Sequence, residues 1–227
     1  MYNGEYIGIN SNCPRNFMHE DNIYILDEIT NENTAHLIAD LSTYIGKKEN
    51  CDKIVKIFIN SPGGEADVCF GLIGLMNLGR LAGIKFYTFI IGCAASAASL
   101  IACAGDKRMM SEFSTHMVHF GQYWQRITKT SEIEKAHINI ARWSDKIKTH
   151  YLRCCAGKLS EKQFQKIIED EQGYLSADDC LKYGFVDSVV EYDLQELDDK
   201  LAKDEEEHKE FKQWKNEQKK KVAKNDK

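Results

Sequence analysis

The sequence predicts an α/β domain with a largely parallel core sheet, and three observations carry that reading. Apolar, β-rich runs alternate with segments whose apolar residues recur at helical spacing along most of the chain. Cap signals stand where those helical segments should start and stop. With 227 residues, 43% hydrophobic and 29% charged, the chain can bury a full core as one globular domain with accessory segments.

Residues 1–21 are polar and poorly patterned and are expected to form an N-terminal arm. The domain proper is expected over 22–190. Asn22-Ile23-Tyr24-Ile25-Leu26 reads as the first strand. Thr30-Asn31-Glu32-Asn33 offers N-caps to a helix carrying Leu37, Ile38, Leu41, Tyr44 and Ile45, with Gly46 as its stop. Ile54–Ile59 is a second strand, running into Asn60-Ser61-Pro62-Gly63-Gly64. An apolar helix over Val68–Leu81 and a strand over Ile84–Ile91 follow.

Thr115-His116-Met117-Val118-His119 is again strand-like. Ser131-Glu132-Ile133-Glu134 is a capping box, opening a long helix that should reach about Cys155 before Gly157. Ile133, His137, Ile140, Ile147 and Tyr151 fall on one stripe of it, with Trp143 beside them. Ser160 and Ser176 open shorter helices, and Phe185–Val190 reads as a last strand. From 191 to 227 the composition turns strongly charged, with Leu194, Leu197, Leu201, His208 and Phe211 near heptad spacing. A solvated, partly helical C-terminal tail is expected there.

Composition narrows the function. A net charge of −5 argues against a nucleic-acid binder, which ordinarily carries a basic excess. The eight cysteines form no CxxC pair and have no histidine at zinc-finger spacing, and several sit inside apolar runs. Free buried thiols in a reducing, cytoplasmic setting are the expectation, with no metal and no cofactor. The first residues lack a basic-then-apolar secretory signal. Phe86–Gly105 is uncharged and about as long as a membrane span. Gly92, Ser96 and Ser99 interrupt it, and its β-rich and Ala-rich halves suit a buried strand turning into a buried helix, so no membrane association is expected.

The chemistry concentrates at that turn. A serine among alanines adds little to packing, because a methyl would fill the space without desolvating a hydroxyl. On a tight strand-to-helix turn, Ser96 in Gly92-Cys93-Ala94-Ala95-Ser96-Ala97 is a candidate nucleophile, approachable past small neighbours and close to a helix N-terminus. Gly63-Gly64, directly after a strand, leaves backbone N–H groups accessible, as an oxyanion hole requires. His119, at the end of a β-rich run, is the candidate base. His116 stands an odd offset of three away and so on the opposite strand face.

The ordered combination Asn60-Ser61-Pro62-Gly63-Gly64, Gly92–Ala97, Met117-Val118-His119, Leu175-Ser176-Ala177 and Tyr183-Gly184-Phe185-Val186-Asp187-Ser188 resembles the proteolytic subunit of the Clp protease family, over roughly Asn22–Val190. The resemblance implies a Clp protease/crotonase-like fold of β-α-β units with a long handle helix. It implies a serine endopeptidase acting on peptides or unfolded proteins inside a homo-oligomer of stacked rings, with an AAA+ unfoldase as a further partner. Ser96 would be the nucleophile, His119 the general base, and the N–H groups of Gly64 and Ala97 the oxyanion hole. Gln172 stands where the family carries the triad aspartate, with Asp170 and Glu171 just upstream. An amide there can hold the imidazole tautomer but adds no charge, and in a serine protease that exchange costs about four orders of magnitude.

Other departures concern partners: Phe120-Gly121 follows His119 where the family usually has Gln-Pro, and the arm has no obvious hydrophobic axial-loop sequence. A weak or silent ring subunit with a structural or docking role is thus a second expectation. A phage-type capsid-maturation protease would suit the charged tail by analogy. An acyl-CoA enzyme of the crotonase fold would need no serine paired with His119.

Overall fold

In the computed structural model, residues 15–121, 130–170 and 173–191 are described. Eight strands form one mixed, mostly parallel sheet. In chain order the elements are β1 (Asn16–His19), β2 (Asn22–Ile25), α1 (Asn31–Ile45), β3 (Ile54–Ser61), α2 (Ala66–Leu81), β4 (Lys85–Ala95), α3 (Ala97–Cys103), β5 (Lys107–Ser111) and β6 (Thr115–Met117). Then come α4 (Thr130–Cys154), α5 (Glu161–Asp170), β7 (Tyr174–Leu175), α6 (Ala177–Tyr183) and β8 (Ser188–Val190). The sheet order is β1-β2-β3-β4-β5-β8, with β6 joined to β4 and β7 to β6. Only the outer pairs β1·β2 and β6·β7 are antiparallel.

Alternation along the central strands explains the layering. Ile23 and Ile25, then Val55, Ile57 and Ile59, then Phe86, Thr88 and Ile90 point into a core shared with Leu37 and Leu41 of α1 and Leu72, Ile73 and Met76 of α2. The intervening residues line the other face. There Phe17, Tyr24, Phe58 and Phe89 stack across four strands at ring separations of 4.9, 5.4 and 5.2 Å.

Local signals act as their chemistry suggests. The Thr30 side chain accepts from the Asn33 N–H at the start of α1, and Gly46 caps its end. Ser176 and Asp179 close a full capping box on α6, and Ser160 with Gln163 makes the same exchange before α5. Phe86–Gly105 is indeed a strand followed by a helix, and no helix among the described residues is long and apolar enough to cross a membrane.

The differences have physical reasons. The sheet begins inside the stretch expected to be an arm. β1 pairs antiparallel with β2, and buried Asn16 accepts from the backbone of Leu26 and Asp27 while donating to the Glu28 carbonyl. β5 is largely polar and is a strand because β4 and β8 flank it. The last strand is shorter than the Phe185–Val190 run, since Phe185 and Val186 belong to the turn after α6 and pack in the core. On α4 the expected apolar stripe is buried only in its second half: Ile147 and Tyr151 are inside, whereas Ile133 and Ile140 are exposed, as is Ile138 beside them. The chain through Val190 forms one compact unit. The tail over 192–227 and its heptad-spaced residues lie outside the described residues.

β4 is the element that positions the site. Its first part pairs with β5, and Cys93–Ala95 pairs instead with Thr115–Met117 of β6. A bulge allows the change of partner: the β3·β4 register shifts between Ile59 and Ser61, where Asn60 Oδ1 accepts the Cys93 N–H at 3.0 Å. A Cβ on Gly92 would lie 2.5 Å from that same oxygen, so a side chain there would displace the Asn60 amide from the bulge.

Candidate active site

Ser96 sits between the end of β4 and the start of α3 at φ 54°, ψ −122°. A non-glycine residue there costs about 1–3 kcal/mol and persists only where its surroundings fix it. Several groups fix it here. Its N–H donates to the Met117 carbonyl at 2.9 Å, and its carbonyl accepts from both the N–H and the hydroxyl of Ser99, at 3.1 and 2.6 Å. The Ser99 hydroxyl in turn meets the Tyr151 hydroxyl of α4. One turn along α3, the Leu100 carbonyl accepts from His150 Nε2 at 2.8 Å.

His119 follows β6 by two residues, and its Nε2 lies 2.6 Å from Ser96 Oγ. With the ring proton on Nδ1, Nε2 accepts from the serine hydroxyl, which is the arrangement a general base needs. His119 is half-buried, and that burial pushes its pKa below the ordinary histidine value, so the neutral imidazole dominates near neutral pH. Among the described residues no carboxylate contributes to that shift.

His116 does something else. It is fully buried, paired in the sheet with Ala94 and Leu175, with its ring 5.2 Å from that of Phe185 and Nε2 3.8 Å from Cys103 Sγ. Its Nδ1 has no hydrogen-bond partner among the described residues, and burial lowers its pKa to about 3. It is a neutral core residue.

The glycine turn stands against the elbow. Ser61 Oγ donates to the Asp27 carbonyl and accepts the Gly63 N–H, while the Gly63 carbonyl accepts from Ile29 and Glu65 N–H donates back to Ile29. Neither the Gly64 nor the Ala97 N–H donates to an acceptor among the described residues. Gly63 is at φ +99°, and a Cβ there would lie 2.5 Å from the Ala95 carbonyl oxygen and 2.7 Å from Ser96 Cβ. A cleft of about 410 Å³ opens over these groups, walled by Glu65, Leu100, Ile147 and Tyr151 and floored by Ser96 and His119.

Of the residues singled out in the sequence, Ser96, His119, Gly64 and Ala97 all line this cleft. Gln172 and Glu171 fall outside the described residues, and Asp170 is described as the last residue of α5. Their neighbour Gly173 is described: its carbonyl accepts from Val118 N–H at 2.8 Å, directly beside His119, and it has no room for a Cβ against the Val118 carbonyl. Sequence reasoning missed Ile29, Ser99 and Tyr151. Only Ser99, one helical turn after Ser96, carried a local signal.

The chain has known relatives. The Clp protease family model matches residues 9–193. An ATP-dependent Clp protease proteolytic subunit from Dehalococcoides mccartyi is 28% identical over 175 residues, which is 76% of this chain and 83% of the relative. The proteolytic subunit 1 from Chlamydia felis is 33% identical, covering 74% of this chain and 79% of the relative. The subunit from Streptococcus agalactiae is 26% identical over 178 residues, 76% of this chain and 86% of its own length. With the matched region enclosing every strand and helix described above, the chain belongs to the Clp protease family of peptidases.

Proposed function

We propose that this chain is a serine endopeptidase in which Ser96 is the nucleophile and His119 its general base. The observation that carries the reading is the 2.6 Å Ser96–His119 contact on a positive-φ elbow, beside two backbone N–H groups without acceptors among the described residues. Ser96 Oγ attacks the peptide carbonyl as its proton passes to His119 Nε2, giving a tetrahedral oxyanion held by Gly64 and Ala97 N–H. Each donor contributes about 3 kcal/mol to that state. His119 returns the proton to the leaving amine. It then takes one from the water that attacks the acyl-enzyme carbonyl, and gives it back to Ser96 as the acid departs.

Gln172 is proposed to accept the Nδ1–H, fixing the tautomer without stabilising imidazolium, so turnover is slow. The hydrogen bond from the Val118 N–H to the Gly173 carbonyl, one residue from His119, supports that placement. The exposed apolar residues of α4 and the relatives' designation as proteolytic subunits support a homo-oligomeric ring built on the domain expected over residues 22–190, which β1 extends back to Asn16. The words "ATP-dependent" in those designations support an ATP-driven unfoldase partner, and the free buried thiols support a cytoplasmic setting. Gln172 also keeps a second reading alive, a catalytically silent subunit of the ring.

A fluorophosphonate probe with mass mapping, alongside turnover of a fluorogenic peptide, tests the proposal. Wild type should label at Ser96 and turn over slowly, and Ser96→Ala should do neither. Peptide turnover that survives Ser96→Ala unchanged refutes it. A chain that labels but does not turn over favours the silent subunit.

A further inference from the structure

The hydroxyl chain behind the elbow has a direction. The Ser99 proton is committed to the Ser96 carbonyl at 2.6 Å, so in the contact between the two hydroxyls Ser99 Oγ is the acceptor and Tyr151 the donor. The order is Tyr151 O–H to Ser99 O–H to Ser96 C=O. Both side chains are buried, Ser99 at 0% and Tyr151 at 1% exposure, so neither hydroxyl has water as an alternative partner. Successive hydrogen bonds of one sense polarise each other, and buried ones do so in a low dielectric. Burial also drives the Tyr151 pKa well up, so the phenol remains a donor across the working pH range.

The acceptor at the end of the chain is the carbonyl of a residue held at positive φ, and its N–H is already fixed by Met117. Turning that carbonyl turns the Ser96–Ala97 peptide plane, which carries the Ala97 N–H and bears on the aim of Ser96 Oγ. We propose that Tyr151 and Ser99 are positioning residues for the nucleophile: α4 reaches across α3 to lock the peptide plane that presents both the serine oxygen and one oxyanion donor. This rests on the reading of Ser96 as nucleophile. The aromatic ring of Tyr151 packs 5.3 Å from that of Phe164 and 5.9 Å from that of Phe185, and this packing survives removal of the hydroxyl alone.

The test compares wild type, Tyr151→Phe, Ser99→Ala and the double variant of the full chain. It measures the maximal rate of fluorophosphonate labelling and the probe affinity separately, together with thermal melting and amide exchange at Ser99. Each single variant should lower the maximal labelling rate about tenfold, the scale of one lost buried hydrogen bond, with probe affinity nearly unchanged and the melting temperature lowered by no more than a few degrees. The double variant should be no slower than the singles, because both remove one chain. Exchange of the Ser99 amide, whose acceptor is the same carbonyl, should accelerate in all three. Variants that label at the wild-type rate overturn the proposal. If wild type itself fails to label at Ser96, the nucleophile reading fails. The exchange data then decide the brace: unchanged Ser99 exchange in Tyr151→Phe overturns it, and faster exchange upholds it as the lock on that peptide.

Discussion

Replacing Gly63 by alanine should separate stability from site geometry. The added Cβ would stand 2.5 Å from the Ala95 carbonyl oxygen, 2.7 Å from Ser96 Cβ and 2.9 Å from the Ala97 nitrogen. All three atoms belong to the elbow, and none is the end of a flexible side chain. An ordinary C···O contact is about 3.3 Å, so the glycine turn and the elbow must part by ~0.8 Å. The φ of +99° adds about 1–2 kcal/mol for a residue with a side chain, and forced overpacking adds about 1–3 kcal/mol. A loss of ~3 kcal/mol in urea denaturation is therefore expected. The labelling rate should suffer more, by about a hundredfold in the fraction that remains folded, because a displacement near 1 Å at reacting groups costs on that order. Gly71→Ala and Gly74→Ala in α2 are the controls: a Cβ at either meets nothing within 4 Å, and each should stabilise by ~0.5–1 kcal/mol with labelling unchanged. A Gly63→Ala protein with wild-type stability and labelling would refute the packing argument for the oxyanion turn.

The acid limb of the labelling-rate profile should have its midpoint below 6.5, since burial lowers the His119 pKa and the neutral base persists to lower pH; a midpoint above 7 would contradict this. Gln172→Asp should raise both the plateau, by tenfold or more, and that midpoint, if residue 172 meets the imidazole; an unmoved profile would exclude the contact. Buried neutral His116, with its pKa lowered to about 3, must favour the unfolded chain as pH falls through 6.5 toward 3. That slope is ~1.4 kcal/mol per pH unit, and His116→Leu should flatten it in pH-dependent urea melts. Arg108 grips Asp187 with its backbone N–H and guanidinium and reaches the Cys154 and Gly184 carbonyls. Since Asp187 is 41% exposed, Arg108→Ala should cost about 2–3 kcal/mol in denaturation, chiefly through the stranded carbonyls.

What the sequence revealed and what it hid divide along a physical line. The central strands and their helices were readable because each satisfies its own period and carries its own caps, from Thr30 to Ser176. The small-residue elbow, the paired glycines and His119 were readable because access and backbone freedom are local properties. β1 and β5 were not, because a polar four- or five-residue stretch becomes a strand only when a neighbour offers its edge. Ile29 clasps Gly63 and Glu65 through backbone groups alone, so no side-chain pattern announces it. Tyr151 fitted the apolar stripe of α4, and nothing in that stripe indicated that its hydroxyl would find Ser99.

One consequence of the β4·β6 pairing concerns when the proposed peptidase would first act on proteins around it. Cys93, Ala94 and Ala95 pair with Thr115, His116 and Met117, and Ser96 N–H closes the ladder on the Met117 carbonyl. The proposed base therefore comes within reach of the proposed nucleophile only when two segments 22 residues apart have zipped together in the correct register. On the proposed reading, Ser96 is an ordinary alcohol before that step, and an unpaired chain has no activated serine with which to cut itself or its neighbours. On that reading folding is the activation step, and the sheet is its safety catch.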